Sequence, residues 1–382
     1  MIEAGNFTDL QVNEITTVKE LKSFIQFPFE LYRGNPYWVP ALQFDELNTL
    51  RRDKNPAFEH CEARYWLAYR GGRIVGRVAA ILNRKHIEKW EQRYMRFGWI
   101  DFIDDPRVSE ALMLRVETWA KDTGMTAVHG PLGFTDLDRE GMLVEGFDEL
   151  STLATIYNHP YYPHHMEKLG YAKDTDWVEY EFSVPPEPNE TIARIADISM
   201  RRCKLKILEL RHKKELLPYA KELFKLLDDE YKHLYGTVPL TEKQIENYVN
   251  QYFGFVTPDF VPMIMDQNNR MVAFGIIMPS LSLALQKAKG QLFPFGFFHL
   301  LRALKKNDRA DLYLVAVRSE YQGKGVNAIL MNKMHGVFNR LGIKKIESNP
   351  ELETNQNVQG QWKHYEKRQH KRRRVFIKHF QG

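Results

Sequence analysis

A short glycine-containing segment, Gln322-Gly-Lys-Gly-Val-Asn-Ala328, carries the residue types best suited to ligand chemistry in this 382-residue chain. Glycine has no Cβ, so Gly323 and Gly325 would let an anionic group approach the backbone closely. The N–H groups of such a loop and of a following helix point at one place, where the helix dipole is positive. The segment therefore predicts a phosphate-binding site.

The loop lies between a predicted strand and a predicted helix. Residues 311–317 are almost all apolar and β-prone, which predicts a buried strand. The helix has an apolar residue at every third or fourth position, namely Leu330, Met334, Phe338 and Leu341. Gly342 ends this run. A dinucleotide-binding fingerprint is excluded, because no third glycine stands at the required spacing.

In this strand–loop–helix context, Gln322-Gly-Lys-Gly325 resembles the acyl-CoA loop of the GNAT acyltransferase superfamily, Gln/Arg-x-x-Gly-x-Gly/Ala. Asn327 departs from that pattern, since the family has a small residue there. The resemblance implies acetyl-CoA or another acyl-CoA as co-substrate. Its pyrophosphate would lie on the loop backbone, and its pantetheine arm would pair with a splayed strand. The cofactor-binding residues implied are Val315, Val317, Gln322, Gly323, Lys324, Gly325, Val326, Asn327 and Ala328.

The resemblance also implies the reaction. In that family an amine attacks the thioester carbonyl directly, a base removes the amine proton, and an acid, often tyrosine, protonates the leaving thiolate. The family's asparagine–tyrosine spacing is only partly met: Trp362 stands seven residues after Asn355, and Tyr365 eight after Asn357. Tyr365 is the candidate acid, with packing of the last helix as its alternative role. The base is not singled out among Asp311, Glu347, Glu230 and Tyr231.

The length is sufficient for two domains with full cores. Three prolines in Val184-Pro-Pro-Glu-Pro-Asn-Glu190 predict a linker. Residues 1–188 show the same order of elements as residues 189–382. However, Asp104-Asp-Pro-Arg-Val-Ser109 replaces the glycine loop, and its carboxylates would repel CoA. The predicted fold is therefore α+β: two tandem GNAT-like domains, each with a mostly antiparallel sheet flanked by helices, and a cofactor loop only in the second.

Several individual elements can be predicted from local patterns. We predict a hairpin over residues 63–81, a helix from Ser109 to Lys121, a helix from Glu215 to His233 and a second hairpin over residues 260–278. Thr241-Glu-Lys-Gln244 predicts the capped start of a helix. Near the C-terminus we predict a helix from Gln359 to His370 and a final strand from Arg372 to Phe380.

The net charge of +5 hides an asymmetry between the halves. Residues 1–200 contain 22 Lys and Arg against 32 Asp and Glu, whereas residues 201–382 contain 32 against 17. The acidic half could dock on the basic one, and the acidic loop at residues 134–149 could attract a cationic amine. The basic half also leaves RNA as an alternative ligand. A Fem-like aminoacyl-tRNA-dependent transferase and a non-catalytic CoA- or RNA-binding module are therefore the alternatives to an acyl-CoA-dependent N-acyltransferase.

Residues 280–308 form an insertion for a domain of this kind. They are apolar and aromatic, with lysines and arginines around them. Three interpretations remain open: a helical pair that covers the sheet or makes a homodimer contact, a lid that shapes a substrate tunnel, and an amphipathic segment at a membrane surface.

Cys61 and Cys203 are far apart in sequence and do not have the spacing of a metal or redox site, so we expect no bound metal. We expect the protein to lie in the reducing cytoplasm. The N-terminal residues lack the pattern of a signal peptide, and the longest apolar run is too short and interrupted for a transmembrane helix.

Overall fold

The computed structural model describes residues 9–360 and 365–381. Up to the linker, the elements are β1 (Leu10–Glu14), α1 (Val18–Leu31), α2 (Gln43–Leu50), β2 (Cys61–Arg70), β3 (Arg73–Asn83), α3 (Arg84–Trp90), β4 (Tyr94–Phe102), α4 (Pro106–Asp122), β5 (Ala127–Gly130), β6 (Met142–Glu145), α5 (Tyr161–Lys168) and β7 (Ala172–Ser183). After it come α6 (Glu190–Cys203), β8 (Lys206–Ile207), α7 (Ala220–Tyr231), α8 (Glu242–Tyr252), β9 (Met263–Met265), β10 (Met271–Pro279), α9 (Ser282–Ala288), α10 (Gly296–Lys305), β11 (Arg309–Val317), α11 (Val326–Leu341), β12 (Lys345–Glu347), β13 (Glu351–Leu352), α12 (Gln356–Gln359) and β14 (Lys367–His379).

The strands form one continuous mixed sheet with helices packed against it. Its order is β1-β2-β3-β4-β5-β14-β7-β12-β11-β10-β9-β8, with β6 beside β14 and β13 beside β7. Most neighbours are antiparallel, while β4 and β5, and β11 and β12, are parallel. This architecture confirms the predicted α+β class.

The last strand crosses from the second half of the chain into the sheet of the first. β14 pairs with β5 on one side and with β7 on the other, and β7 continues the sheet to β12. The two halves therefore share backbone hydrogen bonds across the middle of the sheet. A division at the proline-rich linker stays a prediction, and on that division β14 belongs to the second domain while lying in the sheet of the first.

Several elements begin and end where local chemistry predicts. The hairpin β2–β3 turns at Gly71 and Gly72, both with positive φ. Thr241 and Gln244 cap the start of α8 reciprocally, as the capping-box sequence predicts. α11 ends at Gly342, whose φ of 73° places it in the left-handed region that favours glycine.

Two predicted helix starts are wrong. Asp105, not Ser109, caps α4: its carboxylate accepts a hydrogen bond from the Arg107 N–H, and Ser109 is buried inside the helix. The helix predicted from Glu215 is a 3₁₀ turn as far as Tyr219 and becomes α-helical only at Ala220, because Pro218 interrupts the α-helical hydrogen bonds.

The helix predicted for Gln359 to His370 is also wrong over its last residues. The chain is already a strand from Lys367, and α12 ends at Gln359. Residues 361–364 lie outside the described part of the chain, as does the prediction for Trp362. The basic residues from Lys367 to Arg374 are predicted to span a helix end and a strand start. Because they pair with β7, they form a strand throughout.

Most of the ion-pair partners of β14 are carboxylates of the first half, so the charge asymmetry is partly offset by pairing along β14. Arg374 Nε donates to Asp176 Oδ1 at 2.8 Å, and Lys378 Nζ lies 2.9 Å from Glu117 Oε1. Further Lys and Arg pairs along β14 are Arg368 with Glu149 and Glu181, Lys371 with Glu179 and Glu347, Arg372 with Glu145, Asp176 and Glu353, and Arg373 with Glu179. The basic C-terminal strand thus docks on acidic neighbours, as one of the charge interpretations predicts.

The described helices are all too short or too polar to cross a membrane.

Candidate active site

The glycine loop lies where the sequence predicts, between β11 and α11. Gly323 and Gly325 have φ of 71° and 79°, values that side-chain-bearing residues rarely adopt. Gly325 directly precedes the first residue of α11, so the first N–H groups of this 16-residue helix point toward the loop. A Cβ on Gly325 would also lie 2.3 Å from Ser199 Oγ of α6, which packs against the loop. Glycine is therefore required at this position by conformation and by space.

Glu230 at the end of α7 holds the loop in place. Its carboxylate accepts hydrogen bonds from Ser319 N at 3.0 Å, Ser319 Oγ at 2.7 Å and Gln322 Nε2 at 3.1 Å. The Gln322 amide also donates to Val317 O at 3.0 Å. Glu230, a candidate base by sequence, is thus engaged in organising the loop.

β11 and β12 separate where the resemblance predicts a splay. Their pairing covers only residues 309–311 of β11 and 345–347 of β12. Beyond that point β11 pairs with β10 alone, so the edge of residues 312–317 faces a cleft. Val315 and Val317 belong to this stretch. Two side chains reach its carbonyl groups: Asn349 Nδ2 donates to Tyr313 O and Tyr231 OH donates to Val315 O, both at 3.0 Å.

A cavity of about 250 Å³, here called the strand–helix cavity, occupies this cleft. Leu312–Val315 form one wall and α11 forms another, from Asn327 to Phe338. Asn327 Oδ1 is buried with no hydrogen-bond partner. The residue that departs from the family pattern thus lines the cleft and leaves a polar atom available to a ligand. An acyl-CoA arm, which carries amide donors, fits this environment.

A second cavity of about 390 Å³, here called the apolar cavity, lies between the two halves of the chain. Side chains from α1, α2, α7, α8, β10 and the loops between them surround it. Most of its lining is apolar or aromatic and includes Ile25, Phe29, Trp38, Leu42, Trp99, Leu153, Leu223, Phe224, Val249, Phe253, Phe255, Val256, Met263, Ile276 and Met278. A cavity lined in this way suits a hydrocarbon chain.

The two cavities meet at a shared wall, formed by Asp136, Leu137, Glu140, Trp177, Tyr313, Leu314, Asn349 and Pro350. The acidic loop supplies Asp136 and Glu140, and the splayed strand supplies Tyr313. Glu140 Oε1 and Tyr313 OH are both buried without a hydrogen-bond partner. The wall shared by the strand–helix cavity and the apolar cavity therefore carries a carboxyl oxygen and a phenol hydroxyl that have no hydrogen-bond partner.

Burial shifts the pKa values of these groups. It raises the pKa of Glu140 well above its ordinary value, against the opposing charge of Arg96. It raises the pKa of Asp136 as well. Burial also raises the pKa of Tyr313 well above 10, so its hydroxyl keeps its proton at neutral pH. A carboxyl of raised pKa and a protonated phenol on one wall are groups of the kind that general acid–base catalysis uses.

The structure places the other candidate residues differently. Tyr365 lines the strand–helix cavity but not the shared wall, and its ring packs edge-on against Phe182. Burial raises the pKa of Tyr365 to about 12. Asp311 is buried outside both cavities, and burial, with repulsion from Glu347, raises its pKa to about 8. Of the four bases considered, only Tyr231 lines a cavity.

A buried charged cluster lies beside the site. Glu179, Glu347 and His370 have ligand-type atoms within 4.8 Å of one another. The ammonium group of Lys371 already pairs with both carboxylates, so this cluster is balanced by protein charge.

No family model matches the sequence. Protein YghO of Escherichia coli (strain K12) is 30% identical over 368 residues, which cover 94% of this chain and 93% of that protein. The chain belongs to the YghO family. A second relative of that length, named bacterial ceramide synthase, of Caulobacter vibrioides (strain NA1000 / CB15N), is 28% identical over 359 residues, covering 91% of each protein.

The fold of this YghO-family protein is that of tandem GNAT proteins. A solved tandem GNAT protein from the clavulanic acid biosynthesis pathway aligns over 97% of this chain and 98% of its own, with a TM-score of 0.54 and 11% identity. The resemblance seen at the glycine loop is thereby confirmed for the fold.

No sequence pattern singles out Glu140 and Tyr313. Glu140 is one carboxylate of an acidic loop, and Tyr313 is part of an apolar strand. The one local sign of a site residue is the hydroxyl of Tyr313, which stands in a mostly apolar strand next to the glycine loop. Nothing in the sequence indicates that the acidic loop meets that strand, because the two are more than 160 residues apart.

Proposed function

We propose that this protein is an acyl-CoA-dependent N-acyltransferase whose acceptor is a long-chain, lipid-like amine. The observation that carries the proposal is the shared wall, at which the cleft beside the glycine loop and the apolar cavity have lining residues in common. A thioester in the strand–helix cavity would meet an amine whose chain lies in the apolar cavity. The apolar lining favours a long chain over a small polar amine.

On this proposal, acyl-CoA is held by Gln322 to Ala328 and by Val315 and Val317. Loop N–H groups and the α11 N-terminus face the pyrophosphate, and hydrogen bonds to charged groups of this kind contribute about 1.5–3 kcal/mol each. Asn327 Oδ1, which has no partner within the protein, accepts an N–H of the pantetheine arm. The first half has no equivalent site, because Asp105 occupies the start of α4 and pairs with Arg70 and Arg107.

The reaction forms a carbon–nitrogen bond and breaks the carbon–sulfur bond of the thioester. One proton leaves the amine nitrogen, and the thiolate sulfur gains one. Glu140 takes the proton from nitrogen, and Tyr313 gives a proton to sulfur. Both groups lie on the shared wall, where the two substrates meet. Tyr365, which lines the strand–helix cavity outside the shared wall, is the other candidate acid.

The name of one relative supports the class of acceptor. Ceramide is an amide of a long-chain amine, and the relative named bacterial ceramide synthase is similar to this chain over 91% of its length. The apolar cavity is the feature of this chain that fits such an acceptor. Acetyl-CoA remains the simplest donor, and longer acyl-CoA thioesters are the donors to compare with it.

The RNA-dependent alternatives rest on the basic half of the chain. Six of the Lys and Arg side chains of β14 pair with carboxylates, so this run does not present a free basic surface. The acyl-CoA proposal is therefore favoured over a Fem-like transferase or an RNA-binding module. A CoA-binding module without turnover is distinguished by the assays below.

Asn327→Asp is expected to weaken acyl-CoA binding about tenfold to a hundredfold, because it adds a negative charge to the segment that holds the anionic cofactor, at nearly unchanged volume. An aspartate in the first turn favours the helix, so α11 itself is not weakened. Asn332→Asp, on the exposed side of the same helix, is the matched control. Isothermal titration with CoA measures both. Equal affinity of the two variants would argue against CoA in the strand–helix cavity.

Tyr313→Phe and Tyr365→Phe separate the two candidate acids. We expect Tyr313→Phe to lower kcat by about a hundredfold through loss of the proton donor, and Tyr365→Phe to change it by less than about threefold. Release of free thiol from acyl-CoA in the presence of a long-chain amine reports kcat. The reverse order of effects would assign the acid to Tyr365.

A further inference from the structure

The inserted segment is a pair of helices, α9 and α10, attached to the outside of the apolar cavity. Its inner face packs on Leu42, Leu153 and Phe255, all of which line that cavity. The Gln286 amide donates to Trp38 O at 2.9 Å, and Gln43 N donates to Gly290 O at 2.9 Å. The helix pair is therefore fixed to the first half of the chain rather than loosely attached.

The outer face of this helix pair is apolar and exposed to solvent. Phe293, Phe295 and Phe298 are 78%, 70% and 58% exposed, and Leu283 and Leu301 are 57% and 50% exposed. On α10, Phe298 and Leu301 are three positions apart and lie on one face, while Leu300 faces inward. Side chains of this size are rarely left together in water without a partner surface.

The charged residues of the inserted helix pair are all cations. Residues 280–307 contain no Asp or Glu, and their basic residues are Lys287, Lys289, Arg302, Lys305 and Lys306. All five are exposed. The ion pairs among the described residues include none of them. Arg302 and Lys305 follow Phe298 and Leu301 on the same side of α10.

We propose that this face of the helix pair docks on the surface of an anionic phospholipid membrane. Exposed aromatic and aliphatic side chains would enter the region of the headgroups, and the lysines and arginines beside them would meet the lipid phosphates. A second copy of this chain fits less well. In a two-fold dimer the same patch faces itself, which would bring the five cations of each copy together, and residues 280–307 supply no carboxylate to offset them.

The position of this outer face next to the apolar cavity suggests what membrane docking would do. The inner residues of the same helices pack behind Leu42, Leu153 and Phe255 of the apolar cavity, so docking brings that cavity close to the membrane surface. The amine acceptor of the proposed function would then come from the bilayer. Membrane binding itself does not require turnover, so it can be tested whether or not that function is correct.

The test is co-sedimentation of the full chain with sucrose-loaded vesicles. We expect binding to vesicles of phosphatidylglycerol and phosphatidylcholine, and at least about tenfold weaker binding to phosphatidylcholine alone. Phe295→Ser with Phe298→Ser, and separately Lys305→Glu with Lys306→Glu, should each reduce binding about tenfold or more. Leu114→Ser removes an equally exposed apolar side chain from α4 and should have no effect. Circular dichroism confirms that the variants are folded.

Three results would overturn the proposal. One is no binding of the wild type to anionic vesicles, and another is binding that the patch variants leave unchanged. The third is a dimer, seen by light scattering, that the patch variants convert to a monomer, since this would assign the face to a second copy.

Discussion

Glu140→Gln is expected to lower kcat for amine acylation by about two to four orders of magnitude, which is the range for loss of a general base. The substitution keeps the shape of the side chain at the shared wall but cannot accept the amine proton. Acyl-CoA affinity should stay within about twofold, because Glu140 lies away from the glycine loop. Steady-state thiol release gives kcat, and titration with CoA gives the affinity.

The pH dependence adds a signature that a merely structural role would not produce. Because burial raises the pKa of Glu140, the wild-type rate should rise with pH as this carboxyl loses its proton and becomes able to act as base. The rising limb should be absent from Glu140→Gln. Glu145→Gln changes an exposed carboxylate five residues after Glu140, at the end of β6, and should leave kcat and the pH profile unchanged. A Glu140→Gln variant with wild-type kcat would remove Glu140 from the mechanism.

The acceptor series should show a steep dependence on chain length. Each methylene buried in the apolar cavity contributes about 0.8 kcal/mol, or about fourfold in kcat/KM. Primary amines from eight to fourteen carbons should therefore span about three orders of magnitude, until the cavity is full. The measurement is kcat/KM for each amine at a fixed acyl-CoA concentration.

Val249→Phe provides the matched perturbation, since Val249 of α8 lines the apolar cavity. The larger ring should shorten the preferred chain and lower kcat/KM for the longest amines about tenfold or more, while the shortest amines keep their rates. Leu114→Phe, far from the cavity, should leave the whole series unchanged. A flat series in the wild type would contradict a lipid-like acceptor.

The sequence was most informative where chemistry is local. Gly323, Gly325 and Gly342 specify turns that few other residues allow, so the loop and the limits of α11 could be predicted. The strand before them follows from its apolar residues. The splay between β11 and β12 followed only from the family resemblance, because no pattern within either strand shows where its neighbour leaves it.

The features that could not be predicted from the sequence depend on pairing between residues far apart in the chain. The run from Lys367 to Arg374 resembles a helix end locally, but carboxylates on β7, including Asp176 and Glu179, make it the central strand β14. In the same way, Glu140 becomes a candidate base only because the fold places it on the same cavity wall as Tyr313. Such contacts depend on the order of strands in the sheet, which the sequence of one chain does not reveal.

The most direct test of the proposed function is to incubate the full chain with palmitoyl-CoA and a long-chain primary amine, and to follow both products. The account predicts an N-acyl amide, identified by mass spectrometry, formed in equal amount with free CoA thiol and lost in Glu140→Gln. Binding of CoA without any amide from a panel of long-chain amines would contradict it, as would acyl transfer that requires aminoacyl-tRNA in place of acyl-CoA.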